Sequence, residues 1–295
     1  MDNAFLLLDR IDKIRSVIDQ YGEDKFYISF SGGKDSTVLS ALIDMAVPNN
    51  KIPRVFADTG IELNMIRDFV KKKAEHDSRF VIIQPSVPIT KMLREKGYPF
   101  KSKVFSIYLE RFQDKGMTKG VKVYSGFDEE KKWKAGYSCP ESLRYLFTEE
   151  HKNDLKVSAR CCDEMKKKPL KKFQKESGRS IPISGVMRDE GGGRDKAACL
   201  AFSKDGKIKA FQPLAVMTKE WEEWFIDRYN VEICEIYHEP YNFYRTGCKG
   251  CPFALHLQDE LDTLEKFFPA ERKQCEIIWK PVYDEYRRIK YRLRK

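Results

Sequence analysis

Residues 26–36 read Phe-Tyr-Ile-Ser-Phe-Ser-Gly-Gly-Lys-Asp-Ser, and a helical apolar pattern follows at 37–43. The aromatic and β-branched residues at 26–30 predict a buried strand, and the two glycines mark a tight turn before the helix. Glycine lets an anion approach the backbone without a Cβ in the way. A strand, a glycine turn and a helix N-terminus present backbone N–H groups to a phosphate. The sequence therefore predicts a phosphate-binding loop on an α/β sheet.

The loop lacks the Gly-x4-Gly-Lys-Ser/Thr spacing of the common kinase and GTPase loop. It resembles instead the PP-loop, Ser-Gly-Gly-x-Asp-Ser, of ATP pyrophosphatases, which cut ATP between its α and β phosphates. The resemblance implies that ATP and Mg²⁺ bind here. Asp35 would help to hold Mg²⁺, and Lys34 and the loop amides would stabilise the departing pyrophosphate. The residues it implicates in nucleotide binding are Ser31, Gly32, Gly33, Lys34, Asp35 and Ser36.

The composition favours an anionic partner and no membrane. Fifty-five Lys and Arg against 45 Asp and Glu give 295 residues a net charge of +10. Such an excess favours nucleic acid, although a nucleotide site also needs positive charge. The short apolar run at 5–8 belongs to an amphipathic helix through Tyr21, and no apolar stretch reaches the roughly 20 residues that a bilayer requires. We expect a soluble, cytoplasmic protein.

Alternating strand and helix patterns predict an α/β fold with a doubly wound, mostly parallel sheet and helices on both faces. We expect a nucleotide-binding domain at 1–235 and a C-terminal segment, with a Cys-x2-Cys loop and helices, at 236–295. The aromatic and glycine-rich stretch at 97–150 is an insertion, either a substrate lid or a surface that packs its own aromatics. The further strands that we predict lie at 54–58, 80–83 and 181–186.

Two cysteine pairs are the other feature of the sequence that indicates a chemical function. Eight cysteines without an export signal favour metal or redox chemistry over a disulfide framework. The Cys248–Cys251 spacing places two sulfurs on one side of a tight turn, which suits zinc or an iron–sulfur cluster. The adjacent pair Cys161 and Cys162 is unusual for zinc, because zinc ligands usually stand two to four residues apart. Neighbouring thiols on a helix diverge, which suits two corners of a bulky cluster.

Cys-Cys followed at a distance by Cys-x2-Cys resembles the [4Fe–4S] signature of the adenylylsulfate reductases. The chain is thereby identified as a member of the phosphoadenylylsulfate (PAPS) and adenylylsulfate (APS) reductase-like family of PP-loop ATP pyrophosphatases, which includes DNA-phosphorothioation-type proteins. The resemblance implies the adenine-nucleotide alpha-hydrolase-like (HUP) fold with a C-terminal cluster-binding helical segment. It implies that a [4Fe–4S] cluster is bound by Cys161, Cys162, Cys248 and Cys251.

Three other segments carry the same resemblance. The approach 244–248 is similar to the family's Arg-x-Gly-Cys, and 184–190 is similar to its Gly-x-Arg-x-x-Glu-Ser segment, with shifted spacing. The stretch at 58–62 resembles its Asp-Thr-Gly-x-Glu turn at the adenosine edge of the sheet. These matches implicate Arg188 in catalysis, at the α-phosphate or the acceptor, together with Lys34 and Asp35. Further nucleotide-binding residues that they imply are Asp58, Thr59, Gly60 and Arg194.

Two reaction classes share this scaffold. Reductases attack adenylylsulfate with a cysteine in a C-terminal Glu-Cys-Gly-Leu/Ile-His tail, whereas this chain ends at 290–295 as Lys-Tyr-Arg-Leu-Arg-Lys. The second class, with tRNA thiolases and DNA-phosphorothioation pyrophosphatases, adenylates a substrate and lets sulfur displace AMP. The complete loop, the four thiols and the basic charge favour this class. We therefore expect an ATP pyrophosphatase or adenylyltransferase-like iron–sulfur enzyme that supports sulfur transfer to a nucleic acid or nucleotide.

Two alternatives stay open: a reductase of adenylylsulfate or phosphoadenylylsulfate that releases sulfite, and a nucleotide- or nucleic-acid-binding subunit of a multi-protein system. The expected partners are ATP or an adenylyl nucleotide, tRNA or DNA, a sulfur donor, partner proteins and a second copy of the chain. The lysine run at 166–172 either leads a nucleic acid toward the cluster or is a solvated helix face.

The remaining cysteines divide into two kinds. Cys199, Cys234 and Cys275 lie in apolar surroundings and predict small buried hydrophobic residues. Cys139 stands directly before Pro140 and a predicted helix. Because a helix N-terminus lowers the pKa of a thiol, Cys139 is a candidate redox or persulfide-carrying residue, with simple burial as the alternative.

Overall fold

The structure, a computed structural model, describes residues 2–131, 138–190, 194–243 and 247–294. The chain forms two compact units. The first comprises residues 1–58, 62–85 and 168–246, and the second comprises 59–61, 86–167 and 247–295. The segment at 97–150, expected as an insertion in the nucleotide-binding domain, thus belongs to the same unit as the C-terminal segment. The structure divides the chain differently from the expected boundary at 235/236.

The first unit is built on a six-stranded sheet of order β3-β2-β1-β4-β6-β5. Neighbouring strands are parallel except β5 and β6, which form an antiparallel pair at one edge. Strand β1 lies in the interior of the sheet and is almost wholly buried, as its apolar run predicts. The strands are β1 (Phe26–Phe30), β2 (Arg54–Ala57), β3 (Phe80–Ile83), β4 (Ile181–Ile183), β5 (Leu200–Phe202) and β6 (Ile208–Phe211).

Helices connect the parallel strands of this unit. Its helices are α1 (Asn3–Tyr21), α2 (Lys34–Ala46), α3 (Asn64–His76), α7 (Lys168–Ser177) and α8 (Lys219–Tyr229). The connections from β1 to β2 to β3 run toward one edge, and the chain then returns to place β4 on the other side of β1. Right-handed crossovers that run in opposite directions put their helices on opposite faces. Ligands in such sheets bind where the strand order reverses, outside the carboxyl ends of β1 and β4.

The second unit is mainly helical. Its helices are α4 (Ile89–Lys96), α5 (Lys103–Lys115), α6 (Lys119–Ser125), α9 (Leu257–Phe267) and α10 (Pro269–Arg288). Aromatic rings from the 97–150 segment form its core, with Phe105 in edge contact with both Tyr124 and Phe147. All three side chains are buried. The described part of this segment therefore packs its own aromatics, while Trp133 and Tyr137 lie outside the described residues.

Several predicted elements differ in extent. The strand expected at 181–186 ends at Ile183, because the chain turns there into the loop that lies beside α2. The helix expected near 140–151 is a 3-10 turn, Glu141–Phe147. The β5–β6 hairpin was not predicted, since each of its strands is only three or four residues long. Among the described helices, none is long and apolar enough to cross a membrane.

Candidate functional site

The phosphate-binding loop is held by bonds among its own residues. The Ser31 backbone N–H donates to Ser36 Oγ at 3.2 Å, and the two serine hydroxyls lie 3.1 Å apart. Ser36 Oγ and Thr37 Oγ1 donate to the Gly33 carbonyl at 3.0 and 2.9 Å. The serines therefore fix the curvature of the loop. The loop amides and the N-terminus of α2 provide the groups that suit an anion.

Gly32 is the residue that the loop geometry requires to be glycine. Its φ is +73°, and a Cβ at this position would lie 2.8 Å from Ile66 Cγ2 and 3.0 Å from Val70 Cγ2. Both atoms belong to α3, so the loop backbone lies directly against this helix. A side chain would meet a backbone conformation that L residues rarely adopt and would collide with packed apolar groups.

The two charged residues of the loop have different partners. Lys34 Nζ lies 5.6 Å from the centre of the Tyr237 ring. Asp35 Oδ1 accepts a hydrogen bond from Lys219 Nζ at 2.8 Å. Lys219 also donates to Glu222 Oε2 at 3.1 Å. One ammonium thus lies between two carboxyl groups at the start of α2.

Glu222 is the most buried member of this group. Its side chain is 1% exposed, and Oε1 is buried without a hydrogen-bond partner among the described residues. Burial, followed by the nearby charge of Asp35, raises the pKa of Glu222 to about 7, whereas Lys219 opposes the rise. The neighbouring carboxylate and the loss of water both disfavour a second negative charge.

Gly185 brings the loop after β4 against the phosphate-binding loop. A Cβ on Gly185 would lie 2.7 Å from the Asp35 carbonyl oxygen. Arg188 follows in a short 3-10 turn and is exposed, with Nε donating to the Ala197 carbonyl at 2.6 Å. Arg194 begins a turn in which its carbonyl accepts from the Ala197 N–H at 2.7 Å. Both arginines follow β4, but the Arg188 guanidinium is bonded to backbone rather than free for an anion.

The Asp-Thr-Gly turn follows β2. Asp58 is 6% exposed and accepts from Arg67 Nη2 at 3.0 Å. Thr59 is buried, and Gly60 is exposed with a φ of +81°. Asp58 lies at the same carboxyl edge of the sheet as the phosphate-binding loop, since β1 and β2 are parallel neighbours in register. A role of this turn in adenosine binding stays a prediction.

All four candidate metal-binding thiols belong to the second unit. Burial raises the pKa of Cys161, and the charges of Cys248, Cys162 and Cys251 raise it further. Burial raises the pKa of Cys251 to about 12, with Cys248 and Cys162 adding to the rise. Thiols that repel one another's negative charge lie in one neighbourhood. A cluster bound by these two sequence segments stays a prediction.

The four candidate donors are all thiols, a set that zinc and iron–sulfur clusters both use. Within the described ranges, no three His, Cys, Asp or Glu side chains are grouped so as to hold one metal ion. Each cysteine of a four-iron, four-thiolate site binds a different iron, so its thiols need not converge on one point. All four candidate donors are sulfur, which suits iron–sulfur chemistry. The sulfur donors are chemically suited to the predicted four-iron cluster, and a cluster here stays a prediction; Cys162 is exposed and Cys161 is buried.

Helix α10 and the segment after it hold the Cys-x2-Cys loop by its carbonyl oxygens. Trp279 Nε1 donates to the Lys249 carbonyl at 3.1 Å, and Tyr283 Oη donates to the Gly250 carbonyl. The Pro252 carbonyl accepts from Tyr286 Oη at 2.9 Å and from Arg292 Nη1 at 2.6 Å. Four side chains therefore hold three backbone carbonyl groups of one short loop. We call these four side chains, Trp279, Tyr283, Tyr286 and Arg292, the loop clamp.

A buried ion pair completes this support. Lys249, between the two cysteines, donates from Nζ to Glu271 Oε2 at 2.8 Å and to Gln274 Oε1 at 2.7 Å. The two charged side chains are 2% and 6% exposed. A Cβ on Gly250 would lie 2.8 Å from Cys275 Sγ, so α10 and the loop are in close contact. Removing either charge would leave the other buried without its partner.

Sequence reasoning missed the role of two helices. The aromatic residues of α10 were not singled out from the sequence, yet Trp279, Tyr283 and Tyr286 donate hydrogen bonds to carbonyl groups of the cysteine loop. Lys219 and Glu222 on α8 were not singled out, because a charged pair three residues apart is common on solvated helices. The signal that would have found the α10 residues is the number of aromatic residues with a polar atom on one apolar stripe.

The other cysteine predictions have mixed outcomes. Cys139 is 3% exposed, and burial raises its pKa to about 12. Of the two alternatives for Cys139, the structure supports simple burial, because burial outweighs any effect of the short 3-10 turn that follows. Cys234 and Cys275 are buried as predicted, and Cys199 is half-buried. The Arg-x-Gly-Cys approach at 244–246 lies outside the described residues.

The lysine run after Cys162 is largely exposed. Lys171 and Lys172 are exposed, and Lys167 forms an ion pair with Asp163 at 2.6 Å. Asp163 belongs to a π-helical turn, Asp163–Lys167, directly after the two cysteines. Such turns interrupt regular helices and occur often near functional sites. A role of the run in nucleic-acid binding stays a prediction.

Comparison with known proteins adds a family match. The family model described as phosphoadenosine phosphosulfate reductase domain matches residues 25–119 and 121–254. Uncharacterized protein MJ0973 of Methanocaldococcus jannaschii is 27% identical over 293 residues, which cover 94% of this chain and 56% of that protein. The chain thus spans about half the length of this curated relative. The match and the observed sheet agree with the predicted family and fold class.

Two solved structures are similar at lower levels. One is the phosphoadenylyl-sulfate reductase of Candida auris in a phosphate complex, with 13% identity and a TM-score of 0.44 over 81% of this chain and 93% of that chain. The other is the U34-tRNA thiolase NcsA of Methanococcus maripaludis with its [4Fe-4S] cluster. It has 15% identity and a TM-score of 0.39 over 98% of this chain and 80% of that chain.

Proposed function

Because the chain belongs to the phosphoadenosine phosphosulfate reductase domain family, we propose that it is an ATP pyrophosphatase of the PP-loop type. It activates a substrate with Mg-ATP, releases pyrophosphate and leaves AMP to be displaced by sulfur. The acceptor that we propose is a nucleic acid or a nucleotide, in keeping with the net charge of +10.

The observation that carries this proposal is the complete, internally bonded phosphate-binding loop. Ser31, Ser36 and Thr37 hold its backbone in shape, and Gly32 lies with positive φ against α3. A reductase attacks a preformed adenylylsulfate and has less need of a loop that grips β and γ phosphates. An intact loop therefore supports a reaction in which the β–γ pyrophosphate is bound and released.

The roles of the loop residues follow from their positions. Lys34 and Asp35 stand in the first turn of α2, where the positive end of the helix dipole favours phosphate. Lys34 and the loop amides would stabilise the negative charge on departing pyrophosphate. Asp35 would hold Mg²⁺, which usually binds one or two carboxylates together with substrate phosphates. Arg188 would leave the Ala197 carbonyl to contact the α-phosphate or the acceptor.

The four thiols Cys161, Cys162, Cys248 and Cys251 would hold a [4Fe–4S] cluster. Their mutual electrostatic effects and the all-sulfur donor set support this assignment. A bound cluster supplies redox-active iron that also binds sulfur anions. The chain's own contribution is the loop clamp and the Lys249–Glu271 pair, which keep two of the thiols in place. Iron in stoichiometric amount and visible absorbance are expected after anaerobic purification, and a colourless zinc protein would contradict this part.

The experiment that tests the reaction is product analysis on anaerobically purified protein. Separate reactions contain Mg-ATP, or adenylylsulfate with a thiol reductant. AMP and pyrophosphate from ATP are expected. Sulfite and AMP from adenylylsulfate, with ATP untouched, would contradict the proposal and favour the reductase that the family description names. Binding of nucleotide without turnover of either compound would favour the binding-subunit alternative.

The variant Asp35→Ala sharpens this experiment. We expect it to abolish turnover of ATP while bound iron is retained, because Asp35 belongs to the nucleotide loop and the thiols belong to the other unit. The matched control is Asp68→Ala, which removes an acid from α3 that is 71% exposed and pairs with Lys71 at 3.5 Å. Unchanged turnover in Asp35→Ala would remove Asp35 from the proposed metal role.

A further inference from the structure

Helix α8 brings a second lysine to the phosphate-binding loop. We propose that Lys219 is a further phosphate-contacting residue, which binds the polyphosphate of a nucleoside triphosphate and is positioned by Glu222. This inference rests on the proposed function, because it assigns the ligand's phosphates to the same loop. Its ligand class is a nucleoside triphosphate or free pyrophosphate, recognised through charge and hydrogen bonds.

The start of α8 fixes where Lys219 stands. Thr218 caps the helix, with its hydroxyl accepting from the Trp221 N–H at 3.3 Å. The Lys219 N–H donates to Asp189 Oδ2 at 3.0 Å. Trp221 is buried and donates from Nε1 to the Asn3 carbonyl at 3.2 Å, which ties α8 to α1. The lysine therefore extends from a backbone position that three hydrogen bonds and a packed indole define, as a binding residue requires.

Glu222 keeps the ammonium near the loop. It lies one helical turn after Lys219, is 1% exposed and receives a hydrogen bond from Nζ at 3.1 Å. Its other oxygen is buried without a partner among the described residues. A buried carboxylate needs a cation nearby, so the ammonium stays close to Glu222 whichever other group it contacts. Glu222 is in this sense a positioning residue.

The Lys219 ammonium has a donor left for a ligand beside the loop. An ammonium has three N–H donors, and the structure directs them to two acceptors, Asp35 and Glu222. The Lys219 side chain is 24% exposed and that of Asp35 is 29% exposed, so both groups are accessible to a ligand from solvent. A phosphate oxygen bound at the start of α2 would offer the ammonium its third acceptor.

The charge balance gives this lysine a reason to act together with Mg²⁺. When Asp35 and Glu222 are both ionised, the two carboxylates and the one ammonium sum to a single negative charge, which disfavours a polyphosphate. A divalent cation at Asp35 would change that sum to a single positive charge. Lys219 would then be released from Asp35 toward the phosphates while it still neutralises Glu222. Without Lys219, Mg²⁺ and two carboxylates would only cancel.

Binding measurements on the full chain test this inference. Mg-ATP, Mg-pyrophosphate and adenosine are titrated into the wild type and into Lys219→Met and Lys219→Arg. Loss of a charge-assisted hydrogen bond predicts about tenfold to hundredfold weaker binding of ATP and pyrophosphate in Lys219→Met. Adenosine binding is expected to be unchanged, and Lys219→Arg is expected to retain most of the affinity. The control is Lys71→Met, which removes a lysine that is 53% exposed.

The double variant Lys219→Met/Glu222→Gln separates binding from stability. Lys219→Met leaves Glu222 buried without its cation and lowers the melting temperature, whereas the glutamine in the double variant needs no cation. We expect the double variant to regain stability but not affinity for pyrophosphate. Recovered affinity, or equal losses for adenosine and ATP, would overturn the inference. If the wild type binds ATP and pyrophosphate and Lys219→Met binds them equally well, the inference about Lys219 is overturned and the proposed function stands. If the wild type binds neither ATP nor pyrophosphate, the proposed function is overturned as well.

Discussion

The phosphate-binding loop and the cysteine loop are supported in opposite ways. The first is held by hydroxyl and backbone groups within 31–37, so that its shape belongs to its own sequence. The second is held by side chains of α10 and Arg292, which follow it by 20 to 40 positions in the sequence. A short motif therefore predicts the first loop completely. For the second loop, the sequence motif predicts candidate cysteine ligands, but it does not predict the side chains that hold the loop in place.

The largest expected effect tests whether side chains from α10 stabilise the cysteine loop. Lys249→Met removes the ammonium that pairs with the buried Glu271 carboxylate, and we expect a loss of about 3–5 kcal/mol in the free energy of unfolding. Urea denaturation of the metal-free protein measures it. Lys280→Met, which removes an exposed lysine paired with Asp284 at 2.7 Å, should change stability by less than about 1 kcal/mol.

A double variant shows whether the charge pair itself matters. Lys249→Met/Glu271→Leu replaces both charges with apolar groups and should recover most of the lost stability, since buried ion pairs are often replaceable in this way. A double variant as unstable as Lys249→Met would mean that the loop depends on the specific hydrogen bonds of Lys249. In that case the support would lie in geometry rather than in charge compensation.

The next effect tests whether the phosphate-binding loop is truly self-contained. Gly185→Ala would place a methyl group 2.7 Å from the Asp35 carbonyl oxygen and displace the start of α2. We expect a loss of about 1–3 kcal/mol in stability, as overpacking costs, and weaker binding of ATP in calorimetric titration. Gly120→Ala is the control, because its added Cβ would lie 3.9 Å from the Tyr108 ring, an ordinary contact, and it lies inside α6. Unchanged ATP affinity would mean that the loop keeps its shape when a neighbouring segment is forced against it.

A smaller effect tests a single bond of the loop clamp. Tyr283→Phe removes the hydroxyl that donates to the Gly250 carbonyl and should cost about 1 kcal/mol in the free energy of unfolding. We also expect faster loss of bound iron to a chelator, because the loop between the cysteines gains freedom. Tyr291→Phe serves as the control, since its hydroxyl makes no hydrogen bond within the part of the chain that the structure describes. Equal effects of the two variants would argue against the clamp.

The smallest effect concerns Cys139. Cys139→Ala should leave turnover of ATP and bound iron within about twofold of the wild type, because the thiol is buried and donates to the Pro140 carbonyl. In metal-free protein, alkylation followed by mass spectrometry should label the exposed Cys162 much faster than Cys139. Rapid labelling of Cys139, or loss of turnover in the variant, would restore it as a reactive residue.

The sequence predicts what is local and leaves out what is distant. The order of β1, the glycine turn and α2 was predicted, although α2 extends from Lys34 to Ala46, beyond the apolar pattern at 37–43. The hairpin of β5 and β6 was missed because its strands are too short for a periodic signal. The candidate cysteines at 161–162 and 248–251 were singled out by spacing and resemblance, but the α10 side chains that bind the second loop were not. Glu222 carries no local sign of its burial, which arises only when α8 packs beside the phosphate-binding loop.

The pairing of β1 with β4 has a consequence for how the chain folds. Phe26 is in register with Ile181, and residues 86–167, which belong to the other unit, are synthesised between them. Strands β1, β2 and β3 emerge from the ribosome early, whereas β4, which pairs with the second edge of β1, is synthesised much later. Closing so long a loop is entropically slow. The nucleotide edge of the sheet, between β1 and β4, is thus completed late in synthesis, after much of the cysteine-bearing unit has been made.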